Sequence, residues 1–269
     1  MKNYHSFIKS LKFSGMILVE QIGKGKNMKE FVIETRKLTK CYGDQTVVKE
    51  IDLHVRKGEI YGLLGRNGAG KTTLMKMIFG LTEETAGEVE LFERKLRGQE
   101  KQLYPQIGAM IEAPGFYPNL TGTENLEIFA RLRGLKREQT VRHALAVVGL
   151  PYRDKKLFGN YSLGMKQRLG IANAILHDPK LLILDEPMNG LDPIGIAEMR
   201  EFLIKLSREQ EKTILISSHI LSEIELVADR VGIMDAGVLL AQKPMKELKK
   251  GEETLEAYFR KITGGVGIA

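Results

Sequence analysis

The 269-residue chain has one cysteine, Cys41, so no disulfide can form within it, and a single thiol fits a reducing compartment. It also lacks any long hydrophobic run. The longest aliphatic stretches are short, such as Leu181 to Leu184, whereas a membrane-spanning helix needs about 20 apolar residues. If the protein works on a membrane, other chains must do the spanning. No internal repeat or low-complexity segment interrupts the chain, and 43% hydrophobic with 28% charged residues describes an ordinary globular composition. The net charge of +7 invites a nucleic-acid reading, but much of it is local. Lys2, Lys9, Lys12, Lys24 and Lys26 face Glu20 alone in residues 1–27. Only +3 is left on the other 242 residues, and nucleic acid is not an expected partner.

Residues 1–27 differ from the rest of the chain. Phe13 to Val19 is bounded by Lys12 and Glu20, too tightly for a secretory signal. The Gly23-Lys24-Gly25-Lys26-Asn27 run, whose codons are purine-rich as in a ribosome-binding site, precedes a second methionine, Met28, so residues 1–27 are expected to be either an extension upstream of a start at Met28 or a basic N-terminal tail. From Met28 the pattern becomes dense. Strands are expected at Phe31–Ile33, from Val47 through Leu53, and at Glu59–Leu64, the last an apolar run closed by glycine. A helix is expected over Lys71–Phe79, stopped by Gly80. Glu88–Phe92 and Gln106–Ile111 read as strands. Between Asn119 and Ala174 the signal is helical, with Leu126, Phe129 and Leu132 spaced for one face. Strands at Leu181–Leu184, Thr213–Ser217 and Arg230–Met234 then alternate with helices near Ile194–Arg208 and Ile220–Ala228. Lys246–Lys261 reads as one short charged helix, with Leu255, Tyr258 and Phe259 on its docking side. This alternation predicts an α/β fold with a mainly parallel sheet covered on both faces, and an antiparallel β portion near residues 31–60.

Three motifs carry chemistry. Gly65-Arg66-Asn67-Gly68-Ala69-Gly70-Lys71-Thr72-Thr73 follows a predicted strand and opens a predicted helix. Its glycines let backbone N–H groups turn toward phosphate oxygens, and the helix N-terminus adds positive potential. Lys71 reaches β- and γ-phosphates, and the Thr72 hydroxyl suits Mg²⁺. Second, Leu181–Leu184 ends in Asp185 and Glu186, where α/β sheets bind ligands: Asp185 for the metal, Glu186 for polarising the attacking water. Third, Tyr161-Ser162-Leu163-Gly164-Met165-Lys166-Gln167-Arg168 places a Ser-x-Gly turn at a helix start, a second anion-binding device. Two such devices beside one Lys-containing loop imply that the second serves another subunit's nucleotide.

This third motif resembles the signature of the ABC ATPases. Further elements fall in that family's order. Tyr42 resembles the aromatic residue that stacks on adenine, Asn189-Gly190-Leu191-Asp192 resembles the loop crossing between subunits, and His219 resembles the switch histidine at the γ-phosphate. The resemblance spans Phe31 to about Gln242. It implies an ATPase domain over 31–257, a helical subdomain over about 113–170, and a short tail at 258–269. It also implies ATP and Mg²⁺ as cofactors, transmembrane permease subunits and a second ATPase subunit as partners, and a peripheral place on the cytoplasmic face of the cell membrane. A soluble translation factor of this type needs tandem ATPase domains, a chromosome-maintenance ATPase needs long heptads, and a generic P-loop kinase lacks Ser162 and His219 in this context. One position departs from the pattern. The family normally has glutamine in the loop joining core to helical subdomain, and here Glu112 stands within Ile107–Tyr117, a carboxylate still able to supply an oxygen to Mg²⁺. That loop and the following Pro118–Leu126 resemble the ATPases of bacitracin and lantibiotic self-protection exporters, which implies export of antimicrobial peptides or drugs.

Overall fold

Alternate residues of the buried strands point to opposite faces of one sheet, and each face builds its own core. In the computed structural model, which describes residues 31–112, 115–251 and 254–264, the third of the apolar runs is β4 (Ile60–Gly65), buried throughout. Ile60 and Leu64 join the core on the side of the long helices, while Tyr61 and Leu63 join the opposite one. β8 (Leu181–Leu184) divides in the same way, Leu182 and Leu184 against Leu181 and Ile183. Each fully buried leucine or isoleucine contributes about 1.5–3 kcal/mol by leaving water, so these two strands anchor both layers. Expectations on residues 1–27 lie outside the described residues.

The chain order supplies β1 (Phe31–Tyr42), β2 (Gln45–Ile51) and β3 (His54–Arg56) before β4. After it come α1 (Lys71–Phe79), β5 (Ala86–Leu91), β6 (Arg94–Lys95), α2 (Glu100–Leu103) and β7 (Ile107–Met110). A helical stretch then comprises α3 (Gly122–Leu132), α4 (Arg137–Val147) and α5 (Leu163–Ile175). β8 is followed by α6 (Pro193–Glu209), β9 (Thr213–Ser218), α7 (Leu221–Val227), β10 (Arg230–Asp235), β11 (Val238–Pro244), α8 (Met245–Lys250) and α9 (Leu255–Ile262). The larger sheet runs β11-β10-β4-β9-β8-β7, parallel except for the β10–β11 pair. The second sheet, built of β1, β2, β3, β5 and β6, is antiparallel. Among the described residues no helix is long and apolar enough to cross a membrane.

The structure corrects the sequence reading in four places. The antiparallel portion continues beyond residue 60, because β5 and β6 return to pair with β1 and each other. Leu132 is 77% exposed and does not share the buried face of Leu126 and Phe129. At 100° per residue it lies well off the stripe that runs from Leu126 to Ala130. The predicted helix over Lys246–Lys261 is two helices, α8 closing at Gly251 and α9 opening at Thr254, whose hydroxyl accepts the Ala257 N–H at 3.1 Å. Leu255, Tyr258 and Phe259 are nevertheless buried, as their spacing implies. β11 has no counterpart in the expectations, since its apolar residues Val238, Leu239 and Leu240 run together without alternation.

Candidate functional site

The loop from β4 into α1 turns through positive φ at Gly68 (82°) and Gly70 (99°). At Gly70 a side chain would be strained twice over: by its backbone angle, and because a Cβ there would sit 2.8 Å from the Val47 carbonyl oxygen of β2. The antiparallel sheet is thus packed directly on the loop. Tyr42 ends β1 at the turn before β2, 52% exposed, with Lys40 Nζ 4.8 Å from its ring centroid. A solvent-exposed aromatic ring offers a face for stacking.

Two side-chain chains cross the site. In the first, buried Lys71 donates to the Gly65 and Arg66 carbonyls at 2.7 and 3.2 Å, and its ammonium lies 3.3 Å from Glu186 Oε1. The other oxygen of Glu186 accepts from His219 Nδ1 at 2.9 Å. An ionised carboxylate can only accept, so Nδ1 carries the proton. In the second, the Thr72 hydroxyl donates to Asp185 Oδ2 at 2.8 Å, while Ser217 Oγ donates to Asp185 Oδ1 and accepts the Glu186 N–H at 2.9 Å. Glu186 holds a left-handed backbone at φ 48°, rare for a residue with a side chain. Its N–H bond to Ser217 and its two carboxylate contacts hold that conformation. These side chains therefore converge at the C-terminal ends of β4, β8 and β9, and Ser217 is the residue that sequence reasoning gave no role. Its signal was a buried hydroxyl beside the predicted switch histidine.

The hydroxyl of Thr72 and the carboxylate of Asp185 are hard oxygen donors that suit Mg²⁺, which takes few protein ligands and completes its shell with water and phosphate oxygens. The described residues contain no cluster of three or more His, Cys, Asp or Glu side chains able to hold a metal. Glu112 is engaged with α1. Its carboxylate is 2.5 Å from Lys76 Nζ on α1 and its backbone is left-handed at φ 65°. Buried Asn125 accepts the Tyr117 N–H at 2.8 Å and donates to the Tyr117 carbonyl at 3.1 Å, tying Tyr117 to the first turn of α3.

Ser162 and Gly164 form a separate site. Ser162 caps α5, accepting from Met165 N at 3.3 Å, and Asp192 caps α6, accepting from Gly195 N at 2.8 Å. Both caps open on one cavity of about 510 Å³, lined also by Gly190, Leu191 and Arg168 and sharing no residue with the phosphate-binding loop. Arg168 ion-pairs with Glu198, joining α5 to α6 so that the two helix N-termini face the cavity together.

A glycine-rich loop between a parallel strand and a helix, with two carboxylates at the end of another strand of the same sheet, defines a P-loop nucleotide hydrolase. Comparison with known proteins goes further. A family model described as ABC transporter matches residues 48–189. The chain is 59% identical over 221 residues to the bacitracin transport ATP-binding protein BcrA of Enterococcus faecalis, spanning 82% of this chain and 72% of that protein. It is 42% identical over 228 residues to the lantibiotic transport ATP-binding protein SrtF of Streptococcus pyogenes, spanning 85% and 96%. A solved dimeric structure of a bacterial ABC transporter cassette matches it with a TM-score of 0.72 at 25% identity, over 79% of this chain and 98% of that one. The chain belongs to the ABC transporter family. It is an ATP-binding, ATP-hydrolysing subunit that works with membrane permeases.

Proposed function

We propose that this subunit powers the export of antimicrobial peptides from the cytoplasmic face of the cell membrane, as the ATPase of a self-protection system. The similarity to bacitracin and lantibiotic transport ATPases supports this substrate class, and Glu112 in the connecting loop agrees with it. The observation that carries the mechanism is the pair of chains Lys71–Glu186–His219 and Thr72–Asp185–Ser217.

In this reading residues 65–73 cradle the phosphates, with backbone N–H groups of the loop and the Lys71 ammonium neutralising their charge. Tyr42 stacks on the adenine. Thr72 and Asp185 would hold Mg²⁺, with Glu112 as a further oxygen, and the ion would supply positive charge against the phosphates. Glu186 accepts a proton from the attacking water, and His219 orients Glu186 and contacts the γ-phosphate. Ser162, Gly164 and Asp192 belong to the nucleotide bound by a second ATPase subunit, so a closed pair completes each site. Residues 31–257 form the ATPase domain, with a helical subdomain over about 113–170, and the motion passes to the permease through the surface around Glu112 to Tyr117.

The substrate assignment is tested by expressing the chain with its neighbouring permease in a sensitive strain and measuring growth against bacitracin and a lantibiotic. Tolerance should rise for one of these peptides and be lost with Lys71→Ala. Unchanged tolerance to both would exclude this substrate class while leaving the ATPase assignment intact.

A further inference from the structure

Thr72 and Lys76 lie one turn apart on α1, so their side chains rise from the same helix face. Thr72 donates to Asp185 just past the end of β8. Lys76 places its ammonium 2.5 Å from Glu112 Oε1, just past the end of β7. The two strands are parallel neighbours, and the Asp185 N–H donates to the Met110 carbonyl at 2.8 Å. One stripe of one helix therefore receives both carboxylates. Leu74, Met75, Met77 and Ile78 are buried, so α1 is a fixed support for that stripe.

Glu112 needs such a support. Its left-handed backbone is one that a residue with a side chain keeps only when neighbours hold it. The ion pair with Lys76 is a restraint of that kind, yet both side chains reach solvent, 28% and 63% exposed. Pairs in that setting are weak enough to open.

We propose that Lys76 is a positioning residue that holds Glu112 away from the Thr72–Asp185 oxygens, and that this pair opens when a divalent cation and nucleotide phosphates draw the carboxylate in. The proposal rests on the reading of Thr72 and Asp185 as the Mg²⁺ site. Lys76 and the cation then compete for one carboxylate. Removing the ammonium makes Glu112 available at lower Mg²⁺. Removing the carboxylate's charge leaves Lys76 with nothing to hold. A lysine acting only through the general positive field near the cation would behave differently, because its effect would not depend on Glu112.

The experiment measures the Mg²⁺ midpoint for ATP turnover and, by gel filtration, for ATP-driven dimerisation. It compares wild type, Lys76→Met, Lys76→Arg, Glu112→Gln and the Lys76→Met/Glu112→Gln double variant. Lys76→Met should lower both midpoints by about two- to fivefold, within the range open to an exposed ion pair. Lys76→Arg should keep the wild-type midpoints, and Lys76→Met should shift nothing in the Glu112→Gln background. An equal shift in both backgrounds, or none in either, overturns the proposal. A wild-type protein whose dimerisation and turnover ignore Mg²⁺ overturns the metal-site reading, and the proposal with it.

Discussion

Glu186 gathers more constraints than any other residue of the site. Its backbone is left-handed, its N–H is taken by Ser217, and its two oxygens meet Lys71 and His219. A carboxylate held on both oxygens has a fixed direction, which a group that takes a proton from a bound water requires. Glu186→Gln keeps the shape and removes the basic oxygen. ATP turnover should fall by about 100-fold or more, while ATP affinity stays near the wild-type value and a nucleotide-bound dimer accumulates. Steady-state kinetics beside equilibrium nucleotide binding measure this, and undiminished turnover would remove Glu186 from its assigned role. Asp185 and Glu186 were readable as a pair because they end an apolar strand. The share of Ser217 in holding both was not, since it is 31 residues from Glu186 and brought alongside only by the pairing of β8 with β9.

At the scale of elements, the junction between α5 and β8 contains a histidine outside the chemistry. His177 follows α5 and its Nε2 lies 3.0 Å from the Ile107 carbonyl at the start of β7. Burial, with Arg133 and Lys212 adding to it, holds the ring's pKa below the ordinary histidine value, against the raising influence of the Ile107 hydrogen bond and Asp178. The folded protein thus binds fewer protons here than the unfolded chain, so this contribution to stability is complete above the unfolded pKa of about 6.5 and is lost as pH falls toward the lower folded value. Melting temperature should therefore drop on acidification from about pH 7 more steeply in the wild type than in His177→Gln, whose amide can still donate to Ile107. Parallel curves for the two proteins would show that His177 has the same proton affinity in the folded and unfolded states. Nothing in the residues around His177 marks it, because its burial is created by β7, which lies 70 residues earlier.

On the scale of the whole molecule, the caps at Ser162 and Asp192 face a cavity of their own and not the P-loop. A second copy or a related subunit must bring phosphate to them if they act as anion sites. Ser162→Arg fills that cavity's edge with a long cation while leaving the P-loop untouched. It should abolish ATP-driven dimerisation without changing nucleotide affinity of the monomer by more than about threefold. Gel filtration and nucleotide titration of the same preparation decide this, and a matching loss of monomer affinity would mean that Ser162 serves its own chain's nucleotide. Local order along the chain determined much of this protein. The P-loop, the apolar strand ending in Asp185-Glu186 and the Ser-x-Gly turn are each contiguous, and each carries its physical reason within a few residues: turn freedom, strand burial, helix capping. The tertiary structure alone decided which of these meet. Parallel strands bring the ends of β4, β9 and β8 together across long stretches of sequence, joining Lys71 to Glu186 and Thr72 to Asp185. It also separated what composition could not, placing Glu112 on Lys76, because an ion pair between distant residues depends on the register of β7 beside β8 and on the rotation of α1, neither of which local pattern encodes.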